Sequence, residues 1–500
     1  MTSSSVQRAS APHPTERFDV VIVGAGISGI GCAYMLRQQC PELSFVILES
    51  MESFGGTWLL HKYPGTRSDS DLYTFGYHFK PWIGKPIASR QEILDYLGSV
   101  IEDGSLAPDI RYRHQIQSAN WSSQASAWAL DVCVEGQHTK RIEAGFLWMC
   151  QGYYRHDRGY TPEWPGMEQF KGTIIHPQHW PEDLDLTGKR ITVIGSGATA
   201  ATLIPALADQ CEHVTMLQRT PTFFSTGQNA DALADELRKL EINPQWIHEI
   251  MRRKVVKERS DLIRRAPTRP DALKAQLLEG IKPHLPEGFD IDRHFSPPYK
   301  PLQQRVAFVP EGDLFAAIRK GHASIVTDQI AKFDEAGIQL QSGERIDCDV
   351  VITATGFQLS VMGEIPFTVD GKAVDFSQTV SYRGVMFAGI PNMAWVYGYG
   401  RYSWTLRVEL IGNFVCRLLT HMQSQHLKSV SPKLRAEDAE MELSPWIDSD
   451  DLNAGYMMRS VHRLPKKGSK PEWQHSQDYV YERSVFPEID LCDTIFAYED

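Results

Sequence analysis

No C-x-x-C pair and no zinc-type spacing occurs in this chain. Its eight cysteines (Cys32, Cys40, Cys133, Cys150, Cys211, Cys348, Cys416 and Cys492) are scattered. That excludes the close redox pair of a flavin disulfide reductase and leaves no metal site to expect. Reduced thiols in a cytoplasmic protein are the simplest reading. A basic excess is lacking too: 62 acidic against 51 basic residues give a formal net charge of −11, which argues against nucleic acid as a partner. The one basic run, residues 252–265 (RRKVVKERSDLIRR), is crossed by Glu258 and Asp261 and reads as a solvated helix face. Long apolar runs are also missing. The longest, residues 385–399, is broken by Gly389, Pro391, Asn392 and Gly398, whereas a spanning helix needs about 20 uninterrupted residues. No transmembrane segment is expected, although peripheral membrane contact stays open. Residues 1–17, rich in Ser, Pro and Ala, are expected to be a flexible tail and not a signal peptide.

What the chain has is two nucleotide-binding turns. Its 500 residues are too many for one core, so two or three domains are expected. Residues 18–23 (FDVVIV) form a short apolar, β-branched run suited to a buried parallel strand. The run enters Gly24-Ala25-Gly26-Ile27-Ser28-Gly29 and then an amphipathic helix to about Gln39. Gly24 permits the tight turn, Gly26 lets the backbone approach a pyrophosphate, and Gly29 lets helix and strand pack closely. The helix N-terminus supplies the anion site. A second strand, residues 43–48, ends at Glu49, at the distance expected of a carboxylate that accepts ribose hydroxyls. Next, Gly55 and Gly56 allow main chain to lie against a flat ring, followed by Thr57 and by Trp58 with its stacking face.

The second turn follows a strand at residues 190–194. It reads Gly195-Ser196-Gly197-Ala198-Thr199-Ala200 and continues at Ala201 into a helix through Leu207. The strand after it, residues 213–217, ends at Gln218-Arg219-Thr220. Where an NAD site would carry an acid there is Arg219, whose guanidinium suits the 2′-phosphate of NADP. Between the two turns, residues 91–100 read as helix and residues 110–121 and 127–134 as strands of an antiparallel insert. Residues 146–151 return to the sheet. Beyond the second turn, residues 231–285 have helical periodicity broken by Pro244, Pro267 and Pro270, and residues 325–349 read as hairpin strands. Residues 349–357 form a buried strand.

Between the two turns lies FKGTIIHPQHWP, residues 170–181, with Phe170, Gly172, His176, Trp180 and Pro181 at fixed spacing. Together with Gly56-x-Trp58-x-x-x-x-Tyr63-Pro64-Gly65-x-x-x-Asp69, this pattern resembles the signatures of the Baeyer–Villiger monooxygenases, a branch of the class B flavoprotein monooxygenases. The run YKPLQQRVAF at residues 299–308, with its flanks, closely resembles the thioamide-activating members, the ethionamide monooxygenase subgroup. The resemblance covers roughly residues 18–480.

The resemblance implies an α/β fold with two Rossmann-like domains, one for FAD and one for NADP, and a helical insertion. The expected division is residues 18–160 with 346–500 for FAD, 161–224 with 300–345 for NADP, and 225–299 for the insertion. It also implies that FAD contacts Arg67, Ser68 and Asp69, with Ile116 on the adenine side. Arg305 is implied to be catalytic, held by Asp69. Gln304 stands where many members carry a lysine for the 2′-phosphate. The implied reaction is NADPH- and O2-dependent conversion of ketones to esters or lactones through a C4a-peroxyflavin and a Criegee adduct, with sulfides and thiocarbonyls also oxidised. A fixed arginine suits this because it cannot surrender its proton and stabilises developing oxyanion charge. Residues 387–392 resemble the strand and turn beneath the isoalloxazine. Trp395, Tyr397, Tyr399 and Trp404 are candidates for the substrate pocket, the last of them opening a helix expected over residues 404–419. Two other readings are a flavin-containing monooxygenase confined to nitrogen and sulfur, and a non-catalytic flavin-binding redox sensor.

Overall fold

The computed structural model describes residues 15–500. Two parallel-sheet cores dominate it. The first is a nine-stranded sheet with Glu16–Val23 near its centre, flanked in parallel by Phe45–Leu48 and His138–Met149. The strand alternates at its exposed start and is then buried continuously from Val20 to Val23, as a central parallel strand covered on both faces must be. Residues 1–14 of the expected tail lie outside the described residues, while Glu16 and Arg17 already belong to this strand. His114–Ser122 and Ala127–Val134 extend the sheet antiparallel.

The strand expected over residues 110–121 is two strands. Arg113 takes a left-handed turn (φ 56°), so Ile110–Arg111 pairs parallel with Phe45–Leu48 while His114–Ser122 turns into the insert. The helix expected over residues 91–100 runs Arg90–Asp103. It begins with a reciprocal cap, in which Ser89 accepts from the Glu92 amide and the Glu92 side chain accepts from the Ser89 amide.

The second core is a five-stranded, all-parallel sheet in the order Ala323–Thr327, His213–Gln218, Arg190–Ile194, Val350–Thr353, Thr173–Ile175. Two expectations change here. Val350–Thr353, assigned with residues 346–500 to the FAD region, is hydrogen-bonded into this second sheet. Of the expected hairpin, Ala323–Thr327 is a parallel edge strand, and only Ile330–Asp334, Gly337–Leu340 and Arg345–Asp347 form an antiparallel meander.

The insertion is bracketed by a parallel pair, Phe224–Gly227 with Ala307–Pro310. Pro244 and Pro270 do not break helices but begin them, as expected for a residue lacking an N–H. Pro267 is tolerated in the last turn of Pro244–Thr268. Most charges of the basic run form the expected solvated face, with Arg253, Lys257, Glu258, Arg264 and Arg265 exposed, but the opposite face of this long helix is buried. Arg252 is buried, ion-paired with Glu409, and its Nη1 donates to the carbonyl of Gly76 at 2.9 Å. His248 accepts from the Trp82 amide at 3.1 Å and donates to the Tyr77 carbonyl at 3.1 Å. A buried polar seam therefore fastens the insertion to the first core. Among the described residues no helix is long and apolar enough to cross a membrane.

Candidate active site

Both nucleotide turns lie at the carboxyl ends of their central strands, where α/β sheets bind ligands. In the first, Gly24 has φ +100° and its amide donates to the Leu48 carbonyl at 2.8 Å. A Cβ on Gly29 would lie 1.9 Å from the Gly24 carbonyl oxygen, so only glycine lets the helix Ile27–Gln39 sit this close to its turn. Gly26 faces Gly56 across the cleft, a Cβ on Gly26 falling 3.7 Å from the Gly56 Cα. Glu49 is buried, and its carboxylate accepts from the Ala25 amide at 2.7 Å and the Met51 amide at 2.8 Å. Ser28 accepts from the Trp404 indole N–H at 2.8 Å.

The second turn is similar in path. Gly195 has φ +127°, Gly197 precedes the helix Ala198–Leu207, and the Ser196 hydroxyl ties the turn to Thr220 and Thr222. Arg219 stands exposed at the end of its strand, beside the half-buried Thr220. Ala200 and Ala201 are buried in the core behind the helix and do not face the cleft.

One cavity of about 670 Å³ runs from the first turn to the start of the helix Ala198–Leu207, while Gly195, Ser196, Gly197, Arg219 and Thr220 lie outside its lining. Gly24, Gly26, Ser28, Glu49, Gly56, Thr57, Trp58 and Ile116 line it from one side, Ala198, Thr199 and Thr202 from the other, and Arg67, Asp69 and Arg305 between them. The two sides touch directly at Gly65 (φ +74°), where a Cβ would lie 2.9 Å from the Thr202 carbonyl. Gln151 also lines the cavity, and both polar atoms of its side chain are buried without a partner. A buried amide unsatisfied on both sides needs an occupant that donates and accepts. With the glycine cradles and the buried carboxylate of Glu49 at the cavity wall, these residues fit a flavin dinucleotide. Sequence reading passed over Gln151, although its place at the end of a central parallel strand marks it.

Arg305 and Asp69 meet as a fork: Nε lies 2.6 Å from Oδ2, and Nη2 donates to Oδ1 at 2.8 Å and to the Ser70 hydroxyl at 2.8 Å. Burial alone would lower the arginine's pKa. Asp69, aided by the phenols of Tyr456, Tyr153 and Tyr154, more than offsets it and holds the pKa above the ordinary arginine value. The side chain remains 45% exposed because it faces open cavity. Arg67 forms a second fork, to Asp313, with Nη2 to Oδ1 at 3.2 Å.

A smaller cavity of about 230 Å³ shares Asp69, Ser70, Arg305 and Tyr402 with the first. Its far wall comes from the insertion, through Leu262, Leu273 and Leu277. The fork thus stands at the junction of a large polar cavity and a small, leucine-lined one.

Several expected site residues lie elsewhere. The Ser68 hydroxyl accepts from the Ala88 amide at 3.2 Å and is buried outside the cavity. His176 is a strut: Nδ1 accepts from the Gln178 amide at 3.2 Å, which leaves Nε2 to donate to the Gly356 carbonyl at 3.1 Å. Its ring fills the space beside Gly159, where a Cβ would lie 2.0 Å away. Phe170 is buried against Phe333, a Cβ on Gly172 would strike the Asp349 carbonyl at 2.3 Å, and Trp180 packs on the second core; Pro181, half-buried, follows it. The signature residues of 170–181 therefore shape the connector and do not line the cavities. Of the candidate aromatics, Trp395 and Tyr397 are core residues packed on Trp446. Tyr399 and Trp404 line the large cavity, together with Tyr402, which was not among the candidates. The turn at residues 387–392 is remote from it, with the Asn392 amide holding the Gly145 and Lys428 carbonyls.

Comparison with known proteins agrees with this geometry. The family model of the pyridine nucleotide-disulphide oxidoreductases matches residues 18–278. The FAD-containing monooxygenase EthA of Mycolicibacterium smegmatis is 44% identical over 470 residues, covering 94% of each chain. A probable FAD-binding monooxygenase, AlmA of an Acinetobacter species, is 40% identical over 489 residues, covering 97% of this chain and 96% of its own. Among solved structures, a steroid monooxygenase bound to NADP superposes with a TM-score of 0.77 at 22% identity, over 97% of this chain and all of that one. An open cyclohexanone monooxygenase gives 0.74 at 20% identity over the same shares. These two show the fold, and the closer sequence relatives show the family: the chain belongs to the FAD-containing monooxygenases of the pyridine nucleotide-disulphide oxidoreductase family.

Proposed function

We propose that this chain is a Baeyer–Villiger monooxygenase that uses FAD, NADPH and O2 to convert ketones to esters or lactones, and that it also oxidises sulfides and thiocarbonyls. The observation that carries the reading is the Arg305–Asp69 fork at the junction of the two cavities. FAD, when bound, supplies the oxygen activation, and the protein supplies placement and field. Gly24, Gly26 and Glu49 would hold the dinucleotide, and Trp58 would flank it. Arg219 and Thr220, at the end of the second core's strand, would take the NADP 2′-phosphate. Arg305 fixes a permanent positive charge where a substrate carbonyl gathers negative charge, and Asp69 sets its angle. The leucines of the insertion keep water from that end. The expected domain division stands as part of this reading, with residues 350–353 moved to the NADP region.

The Arg305→Ala variant tests it, with phenylacetone and a thioether offered separately to wild type and variant. Wild type should give both ester and sulfoxide. Removing one such electrostatic stabiliser costs roughly 10²–10³ in rate, so the variant's ester yield should collapse. Undiminished ester formation in the variant, or sulfoxide alone from the wild type, defeats the reading.

A further inference from the structure

Arg259 is the charge in the smaller cavity that the proposed chemistry leaves without a task. It lies on the helix Pro244–Thr268 and lines the cavity with Leu262, Leu273, Leu277, Leu302 and Phe308. Its Nε donates to the Arg401 carbonyl at 2.5 Å. Among the described residues its guanidinium makes no other hydrogen bond, and no carboxylate approaches within 4.0 Å.

The other charges in this cavity are already engaged. Asp69 is held by Arg305. Asp71 caps a short helix, accepting from the Thr74 amide at 3.1 Å and the Thr74 hydroxyl at 2.9 Å. Arg401 pairs with Asp451 at 2.6 Å and donates to the Leu302 carbonyl at 3.2 Å. Burial, and then the like charge of Arg305, bring the Arg259 pKa down to about 10, so it remains a cation at neutral pH. Asp69 and Asp71 act on it only from a distance, and a guanidinium set among leucines with no carboxylate in contact is costly to keep. The cost is offset when a ligand brings the anion, and a carboxylate matches the fork of a guanidinium in two places.

We propose that Arg259 anchors a carboxylate on the substrate, so that the favoured ketones are oxo acids, with the acid end at Arg259 and the carbonyl at Arg305. The leucines that line the same cavity, Leu262, Leu273, Leu277 and Leu302, take the connecting methylene chain. This rests on the Baeyer–Villiger reading and narrows its substrate class.

The test compares 7-oxooctanoate with its methyl ester on the holoenzyme, with phenylacetone as a reference ketone. A charge-assisted contact of this kind should favour the acid in kcat/KM by roughly 10- to 100-fold. In Arg259→Met the acid-to-ester ratio should fall to near one, and Arg259→Lys should keep most of the preference. Because the readout is a ratio, a general loss of activity does not mimic it. Should Arg259→Met fail to fold, the wild type decides: octanoate must inhibit phenylacetone turnover competitively and far more tightly than methyl octanoate. Equal turnover of acid and ester by the wild type, a preference that survives Arg259→Met, or equal inhibition overturns the proposal while phenylacetone still yields ester. If phenylacetone yields none, the Baeyer–Villiger reading itself is overturned, and this one with it.

Discussion

The two nucleotide turns are written in nearly the same residues and built to different tightness. In the first, the third glycine is compulsory: a methyl on Gly29 would overlap the Gly24 carbonyl, and the opposite wall, Gly56, closes over Gly26. In the second, the third position is alanine, fully buried, and a Cβ on Gly197 would meet nothing within 4 Å. The first turn is walled by its own region of the chain, while the second has an open side. A cofactor kept through many turnovers needs the former, and a hydride donor that arrives and leaves each cycle needs the latter.

The largest effect that separates the turns is expected from Gly29→Ala. Its Cβ would meet backbone, which cannot rotate aside. The purified variant should therefore lack flavin absorbance or fail to fold. A normal ratio of flavin to protein absorbance would mean the first turn is looser than its geometry says.

Acid should act next, at the junction between the turns. His61 lines the large cavity, edge-on to Phe357 and Tyr63, with its Nδ1 buried and unpartnered. Burial first, then the like charges of His176, His156 and His179, hold its pKa down to about 4. An unfolded histidine titrates near 6.5, so below that pH the unfolded chain takes up a proton that the folded chain refuses. Stability is complete above about pH 6.5 and is lost as pH falls toward 4, by about 3 kcal/mol for a shift of this size. Urea midpoints at pH 7 and pH 5 measure it. Burial depresses His248 to about 4 as well, and lowers His156, His176 and His475. His61→Gln should therefore narrow the difference without abolishing it, and an unchanged difference would leave the acid sensitivity to those other histidines.

Arg219→Ala should touch the open site alone. Loss of a charge-assisted contact to the 2′-phosphate should raise the KM for NADPH roughly 10- to 100-fold and leave that for NADH within about threefold. Equal effects on both coenzymes would remove Arg219 from phosphate recognition and return attention to Gln304.

How much of this was legible before folding depends on how local the cause is. The glycine turns and Glu49 follow from strand-turn-helix geometry within some 30 residues, whereas Ile116, on a strand of the insert, came through resemblance and lines the large cavity. The Arg305–Asp69 fork spans 236 residues and came only through resemblance. The basic run is a solvated face at Arg253, Lys257, Glu258, Arg264 and Arg265, but its inward side was not legible, because helical charges show which residues are polar and not what the other face opposes. Arg252 and Arg259 each bond a group more than 100 positions away, Glu409 and the Arg401 carbonyl. The strut role of His176 was illegible for the same reason: its partner, Gly356, is 180 residues off. The tail of the sequence pattern at residues 387–392 was aligned with the flavin, whereas the chain reaches the cavity only at Tyr399–Trp404.

The smallest expected effect, Ala200→Gly, sharpens the comparison most, because it writes the first turn's residue into the second. If the glycine pattern as such made the tight site, this change would tighten nucleotide binding at the second turn. The geometry says otherwise. The helix Ala198–Leu207 already stands far enough from its turn to carry a methyl, and Ala200 is packed in the second core. Glycine there would remove a buried methyl and loosen a helix interior, at about 1–2 kcal/mol in all. Thermal stability should therefore fall by a few degrees, with the NADPH KM nearly unchanged. A tighter NADPH site would show that the third position sets closeness in both turns, and that the open side of the second is a matter of one side chain instead of what surrounds it.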